Sequence, residues 1–240
     1  MFILILCILY LIYKKYYTYE KFVTDTWDKN TELILVSAHY NEDLEWLKKA
    51  PVPVVICGKE GEKDSVIKSN PKCKTINQGN EASSYIKFII EYYDSLPQYV
   101  LFIHGHETAW HQKVDIFDEI KEHKWKNKDY CSVNKNGLEV GPHNKREMEQ
   151  KFIPVWDTYF LPYLHRGPPT SIRTDCCAQF IISRNAILKH KKTTYEHWYK
   201  LLTVDYKNYP EIAPTSKEMA VIFEFLWHII FGQPDEMTEL

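Results

Sequence analysis

Three short apolar runs break off abruptly into polar residues: LILVS at 33–37, PVPVVIC at 51–57 and YVLFI at 99–103. Each is shorter than an ordinary helix and rich in β-branched side chains, so each reads as a buried strand. Between the second and third, Ala82, Tyr85, Ile86, Ile89 and Tyr93 recur at helical spacing. Asn80 can cap the start of that helix and Pro97 closes its exit. Strands alternating with a helix predict an α/β fold, a mostly parallel central sheet flanked by helices. Ligands in such sheets bind in the crevice outside the carboxyl ends of the strands. The residues leaving each run are therefore the first candidates: His39-Tyr40-Asn41-Glu42, Gly58-Lys59, and His104-Gly105-His106-Glu107.

The rest of the chain fits one domain. CCAQFIIS at 176–183 reads as a further strand, with Ser183 or Asn185 opening a helix. The last helix is marked by a Thr215/Glu218 capping box, an apolar run and Gly232 as its C-terminal cap. The middle, roughly 121–175, is rich in charges and turns. At the N-terminus, MFILILCILYLIY is uncharged and followed by Lys14 and Lys15. Its thirteen residues fall short of the roughly 17–25 that a spanning helix needs. Snorkelling lysines and interfacial Tyr16 and Tyr17 would extend it. The expected organisation is a membrane anchor at 1–17, a linker at 18–31, an α/β domain at 32–233 and a tail at 234–240. The expected location is a membrane, through a single-pass N-terminal anchor whose orientation the flanking lysines leave open.

Composition removes several function classes. A net charge of -2 without a basic stripe excludes general nucleic-acid binding. With 8 glycines the chain has no GxGxxG and no P-loop. The six cysteines form no CxxC pair, so they read neither as a zinc ribbon nor as a dense disulfide framework. Cys176 and Cys177 read as a small buried pair rather than a reactive thiol. No GxSxG elbow supports serine hydrolysis.

What remains is concentrated at two places. After the third strand stand His104, His106, Glu107 and His111. If extension persists through Gly105, His104 and His106 share a face and, with Glu107, could hold a divalent metal or neutralise a phosphate. The bland reading is that they cap the strand end. In the last helix, Glu224 and His228 interrupt an apolar surface at i and i+4. They read equally as a self-satisfied buried pair or as site residues, His228 a ligand and Glu224 a base. NQGNEAS at 77–83 adds a weaker signal, an anion site at a helix N-terminus formed by Asn77, Gly79, Asn80 and Glu81.

The series HYNEDLEWL, NQGNEASSYIKFIIEYYDSLP, VLFIHGHETAWHQ, CCAQFIISRNAI and FEFLWHIIFG resembles a family of uncharacterised proteins from fungi and large DNA viruses. HGHETAWH, CCAQF and LWHIIFG are its most distinctive motifs, and the resemblance runs from about Leu33 to Gly232. The family usually has arginine where Asn80 stands, so an arginine–phosphate contact is not expected there. The layout in turn resembles single-domain, Rossmann-like GT-A glycosyltransferases, an analogy at the level of fold. That resemblance implies a nucleotide read at His39, Tyr40, Asn41 and Glu42, with Asn77, Gly79, Asn80, Glu81 and Gln179 as further binding residues. It implies His104, His106, Glu107 and His228 as metal ligands, and Glu224 or Asp175 as the catalytic carboxylate. The implied cofactor is Mn²⁺ or Mg²⁺, or no metal at all, because imidazoles stand where oxygen ligands are usual.

The expected function is transfer of a sugar from a nucleotide-sugar donor to a hydroxyl of a glycan or glycoprotein, with Trp110 and Trp227 as sugar-stacking faces. The alternatives are a metal-dependent hydrolase using His104, His106 and His228, and a non-enzymatic, membrane-anchored carbohydrate-binding protein. The transferase reading requires the corner after Ile103 and the Glu224/His228 pair to meet around a shared pocket.

Overall fold

The computed structural model describes residues 26–62, 69–109, 112–134, 153–175, 177–213 and 215–237, together with Ile5, Cys7, Tyr10 and Thr24. The expected strands form at β1 (Leu33–His39), β2 (Val54–Gly58) and β3 (Tyr99–Ile103), followed by β4 (Tyr130–Ser132) and β5 (Phe180–Ser183). They make one sheet in the order β2-β1-β3-β5-β4. β1 pairs in parallel with both β2 and β3, whereas β5 runs antiparallel to β3 and to β4. The expectation of a mostly parallel sheet therefore holds for β2, β1 and β3 and is corrected for the other two strands. β5 is also shorter than expected, because Cys177 and Ala178 before it have positive φ. All four of its residues are buried, and a strand covered on both faces carries no pattern that reveals its direction.

Strand alternation divides the core between the two faces. Ile34, Val36, Val55, Val100, Phe102, Phe180 and Ile182 face α1 (Asn80–Tyr92), α6 (Lys192–Thr203) and α7 (Ser216–Ile230). Leu33, Leu35, Val54, Ile56, Leu101, Ile103 and Ile181 face the 3-10 turn Glu45–Lys49 and α2 (Ile116–Glu122). The shorter helices α3 (Ile153–Tyr159), α4 (Leu161–Leu164) and α5 (Arg184–Ile187) complete the described helices.

Several terminal signals hold. Ser183 caps α5 by accepting from the Ala186 N–H at 3.0 Å. Thr215 and Glu218 form the capping box of α7. Gly232 follows with φ +82°, its N–H donating to Ile229 O at 2.9 Å. At α1 the cap is Gly79, φ +66°, and not Asn80. Residues 235–237, expected as tail, are bonded to the 171–173 segment: the Arg173 N–H donates to Asp235 O, and the Met237 N–H to Arg173 O.

The membrane anchor is corrected. Among the described residues no helix is long and apolar enough to cross a membrane. Thirteen apolar residues in a helix span only about 20 Å, against roughly 30 Å of hydrocarbon. Most of 1–17 and part of the 18–31 linker lie outside the described residues.

A disulfide that sequence spacing did not reveal joins Cys57 at the end of β2 to Cys73, sixteen residues on. It closes the segment that carries Lys59 and Glu62. A closed loop of that size constrains the unfolded chain by about 3 kcal/mol. Cys73→Ser is therefore expected to lower unfolding free energy by about that amount. Denaturant unfolding checks this, and an equal stability of variant and wild type under non-reducing conditions would refute it.

Candidate functional site

The carboxyl ends of β1 and β3 lie side by side, and the chain leaves them in opposite directions. β1 leads to β2 on one side, and β3 leads to β4 and β5 on the other. Such a switch in connectivity opens a crevice. Here the two departing segments lock together. The Glu42 carboxylate accepts from the N–H groups of Tyr40 at 2.7 Å and Asn41 at 3.1 Å, and lies 3.1 Å from His39 Nδ1. It also packs on Gly105, where a Cβ would lie 3.0 Å from the carboxyl group. The Trp46 indole N–H donates to Gly105 O at 3.0 Å. Glycine at 105 is thus favoured by the close approach of the Glu42 side chain rather than by backbone conformation.

Burial works against ionisation of Glu42. The hydrogen bonds from His39 and the backbone, with the His39 charge, outweigh it and hold the pKa at about 2. Glu42 is therefore a clamp between strand ends, with Oε2 already engaged by its own turn.

Beside this clamp opens a cavity of about 480 Å³, lined by Glu42, Asp43, Trp46, Lys49, His106 and Glu107 among others. His106 Nε2 lies 3.9 Å from Glu42 Oε1, and Lys49 Nζ lies 3.8 Å from Glu107 Oε1. Tyr40, 37% exposed, is a large aromatic face left open at the edge of β1. His104 is held by its backbone: its N–H donates to Gln179 Oε1 at 3.2 Å, and its carbonyl accepts from Ser37 Oγ. Gln179 is buried and also donates to Asn134 Oδ1 at 2.8 Å, so it braces the loop after β3. His111 and Trp110 lie outside the described residues.

The last-helix pair goes elsewhere. This cavity is not lined by Glu224 or His228, so among the described residues it does not bring that pair together with His106 and Glu107. His228 is completely buried, its Nε2 3.1 Å from Asp235 O. Burial pushes its pKa down to about 4, against the opposing pull of Asp235, so the ring is neutral at neutral pH. Among the described residues no three His, Cys, Asp or Glu side chains are placed to hold a metal. The three-imidazole hydrolase site of His104, His106 and His228 is therefore not assembled. Trp227 is 1% exposed among Tyr85, Phe180, Phe223 and Phe231, and offers no face to a sugar.

Glu224 instead faces α1 across the other side of the sheet. Burial raises its pKa to about 8, the nearby Glu81 charge adds to the rise, and Lys217 opposes it. Glu81 stands in the first turn of α1, beside the exposed Asn77 and the αL Gly79. Asp175 acts electrostatically on Tyr130 of β4, whose pKa is raised mainly by burial. Cys177 is disulfide-bonded, which corrects its reading as a small reduced side chain; Cys176 lies outside the described residues.

The sequence placed Lys59 at the crevice but gave it no role, and it passed over Trp46, Lys49 and Glu62. The signal for Lys59 was present, a charge directly after an apolar strand. KEGEKD, by contrast, reads as any solvated charged loop. Yet Glu62 accepts from Ser69 Oγ at 2.6 Å and Lys74 Nζ at 2.8 Å, and lies 4.0 Å from His39 Nε2.

The clamp makes a pH prediction. Because the folded pKa of Glu42 is depressed, its stabilisation is full above about 4.5 and fades as pH falls towards about 2. Glu42→Gln is expected to lower the melting temperature at neutral pH, with the gap shrinking through that acid window. A gap that stays constant with pH would show that Glu42 stabilises by packing alone.

The chain belongs to the family described as Protein of unknown function (DUF3431), matched over residues 34–239. No curated protein and no solved structure matches it.

Proposed function

We propose that this DUF3431 domain is a GT-A-type glycosyltransferase that binds a nucleotide-sugar in the crevice between β1 and β3. The observation that carries the reading is the junction itself: the end of the first strand and the segment after the central strand β3 bound one cavity at a topological switch point. Glu224 and His228 do not line this cavity, so the reading stands on these two segments alone. Tyr40 is available to stack on a base, and His106, Glu107 and Thr108 line the wall where a diphosphate would lie.

Charge decides how a diphosphate enters. Glu42, Asp43, Glu45 and Glu107 set four carboxylates against Lys49 and His106. A diphosphate is repelled by such a wall unless a divalent cation accompanies it. The oxygen donors suit a hard ion such as Mg²⁺ or Mn²⁺, which takes one or two carboxylates and completes its shell with phosphate and water. Glu107 and Asp43 are the residues proposed to hold it, with His106 beside them. When bound, the ion would supply positive charge against the departing diphosphate.

The chain's own groups account for the proton. The acceptor oxygen bonds to the anomeric carbon while the bond from that carbon to the diphosphate oxygen breaks, its electron pair leaving with the diphosphate. The acceptor's proton passes to a carboxylate that lines the cavity, because a general base must stand within hydrogen-bond reach of the hydroxyl it deprotonates.

Purified protein incubated with a panel of nucleotide-sugars and Mn²⁺ is expected to release nucleoside diphosphate with at least one donor. Glu107→Ala is expected to lower kcat/KM by about 100-fold. No release and no thermal stabilisation with any donor, with or without Mn²⁺, would remove the transferase reading.

A further inference from the structure

The sequence offers His39 as a contact for a nucleotide, yet the residue is 4% exposed and stands behind the cavity wall. It ends β1, the strand between β2 and β3, and pairs in register with Gly58 of β2. A carboxylate is seated on a glycine at each flank. Glu42 packs on Gly105, and a Cβ at Gly58 would overlap the Glu62 carboxylate and the Ser69 hydroxyl. His39 lies between the two acids. Its Nδ1 is 3.1 Å from Glu42 Oε2, and its Nε2 is 4.0 Å from Glu62 Oε2.

Both acids are also fixed from behind. Glu42 Oε2 holds the N–H groups of Tyr40 and Asn41. Glu62, within the segment closed by the Cys57–Cys73 disulfide, accepts from Ser69 Oγ and Lys74 Nζ. The line continues into the cavity, where Glu42 Oε1 is 3.9 Å from His106 Nε2. Basic and acidic side chains therefore alternate from Lys74 through Glu62, His39 and Glu42 to His106. The His39 side chain is 2% exposed and that of His106 is 61% exposed. His39 is thus the inner anchor of the line, and His106 is the end that a ligand reaches.

We infer that His39 is a positioning residue for the cavity, one that holds Glu42 from one side and Glu62 from the other and so fixes where Glu42 Oε1 and His106 stand on the wall. The inference deepens the reading of the cavity as the donor site and rests on it for its effect on turnover. Burial works against the ionised form of Glu42, and the His39 side chain is foremost among the groups that restore it. His39 itself touches no donor and acts through Glu42. Loosening such an anchor displaces the wall in the ground state and the transition state alike, so it weakens binding and leaves the chemical step unchanged.

The two ring nitrogens allow a test by substitution, because an asparagine amide nitrogen stands near the place of Nδ1 and a glutamine amide nitrogen near that of Nε2. His39→Asn keeps a donor for Glu42, and His39→Gln keeps one for Glu62. In backbone amide NMR spectra of the full chain, the Gly105 and His106 signals are expected to stay closer to wild type in His39→Asn than in His39→Gln. Both variants lose the ring, so the comparison cancels its direct effect on neighbouring shifts. Glu62→Gln is expected to move the same two signals in the wild type and to leave them unmoved in the His39→Asn background, where the link is already cut. With a donor that is turned over, His39→Gln is expected to raise its KM by about tenfold and to keep kcat within about twofold. Folded Asn and Gln variants that shift Gly105 and His106 equally overturn the inference, as does a Glu62→Gln effect that survives in the His39→Asn background. A fall in kcat at unchanged KM overturns it too. The spectra need no donor, so the two ideas fail separately. The expected shifts without any turnover sink only the transferase reading, and turnover without those shifts sinks only this inference.

Discussion

The structure turns on the junction of two parallel strand ends. β1 and β3 deliver their polar residues to one edge, and Glu42 fastens the two departing loops by holding its own turn while packing on Gly105. Trp46 adds a second tie between the same two segments. Without that fastening the loops would leave the sheet independently, and no cavity would be defined between them. The low pKa of Glu42 follows from the donors of its own turn, His39 and the backbone, which outweigh its burial.

From this junction the chemistry divides between the two faces of the sheet. The open side collects carboxylates around a cavity, where an anionic ligand demands a metal ion as companion. The helix-covered side holds Lys59 and Glu224, which burial brings to about 7 and about 8. Lys59 connects the two through its backbone bond to His39.

Much of the fold was legible because β-branched runs and helix caps are local signals. The capping box at Thr215, the cap at Ser183 and the end of β3 at Ile103 all needed only neighbours in sequence. Strand direction was not legible, since Phe180–Ser183 is buried on both faces whichever way it runs. Candidate residues divided in the same way. His106 and Glu107 reach the cavity because their strand ends there. His228 does not, because a histidine on a helix buried all round finds a backbone carbonyl, Asp235 O, before it finds a ligand. Partners far apart in the chain, such as Cys57 with Cys73 or Glu224 with Glu81, have no local signature at all.

The most direct measurement is backbone NMR shift mapping with a nucleoside diphosphate and Mg²⁺. The account predicts that the largest changes fall together on Tyr40 to Trp46 and on Gly105 to Thr108, and that they disappear when Mg²⁺ is chelated. Changes confined to another surface, or saturable changes at this crevice that are indifferent to the metal, would contradict it.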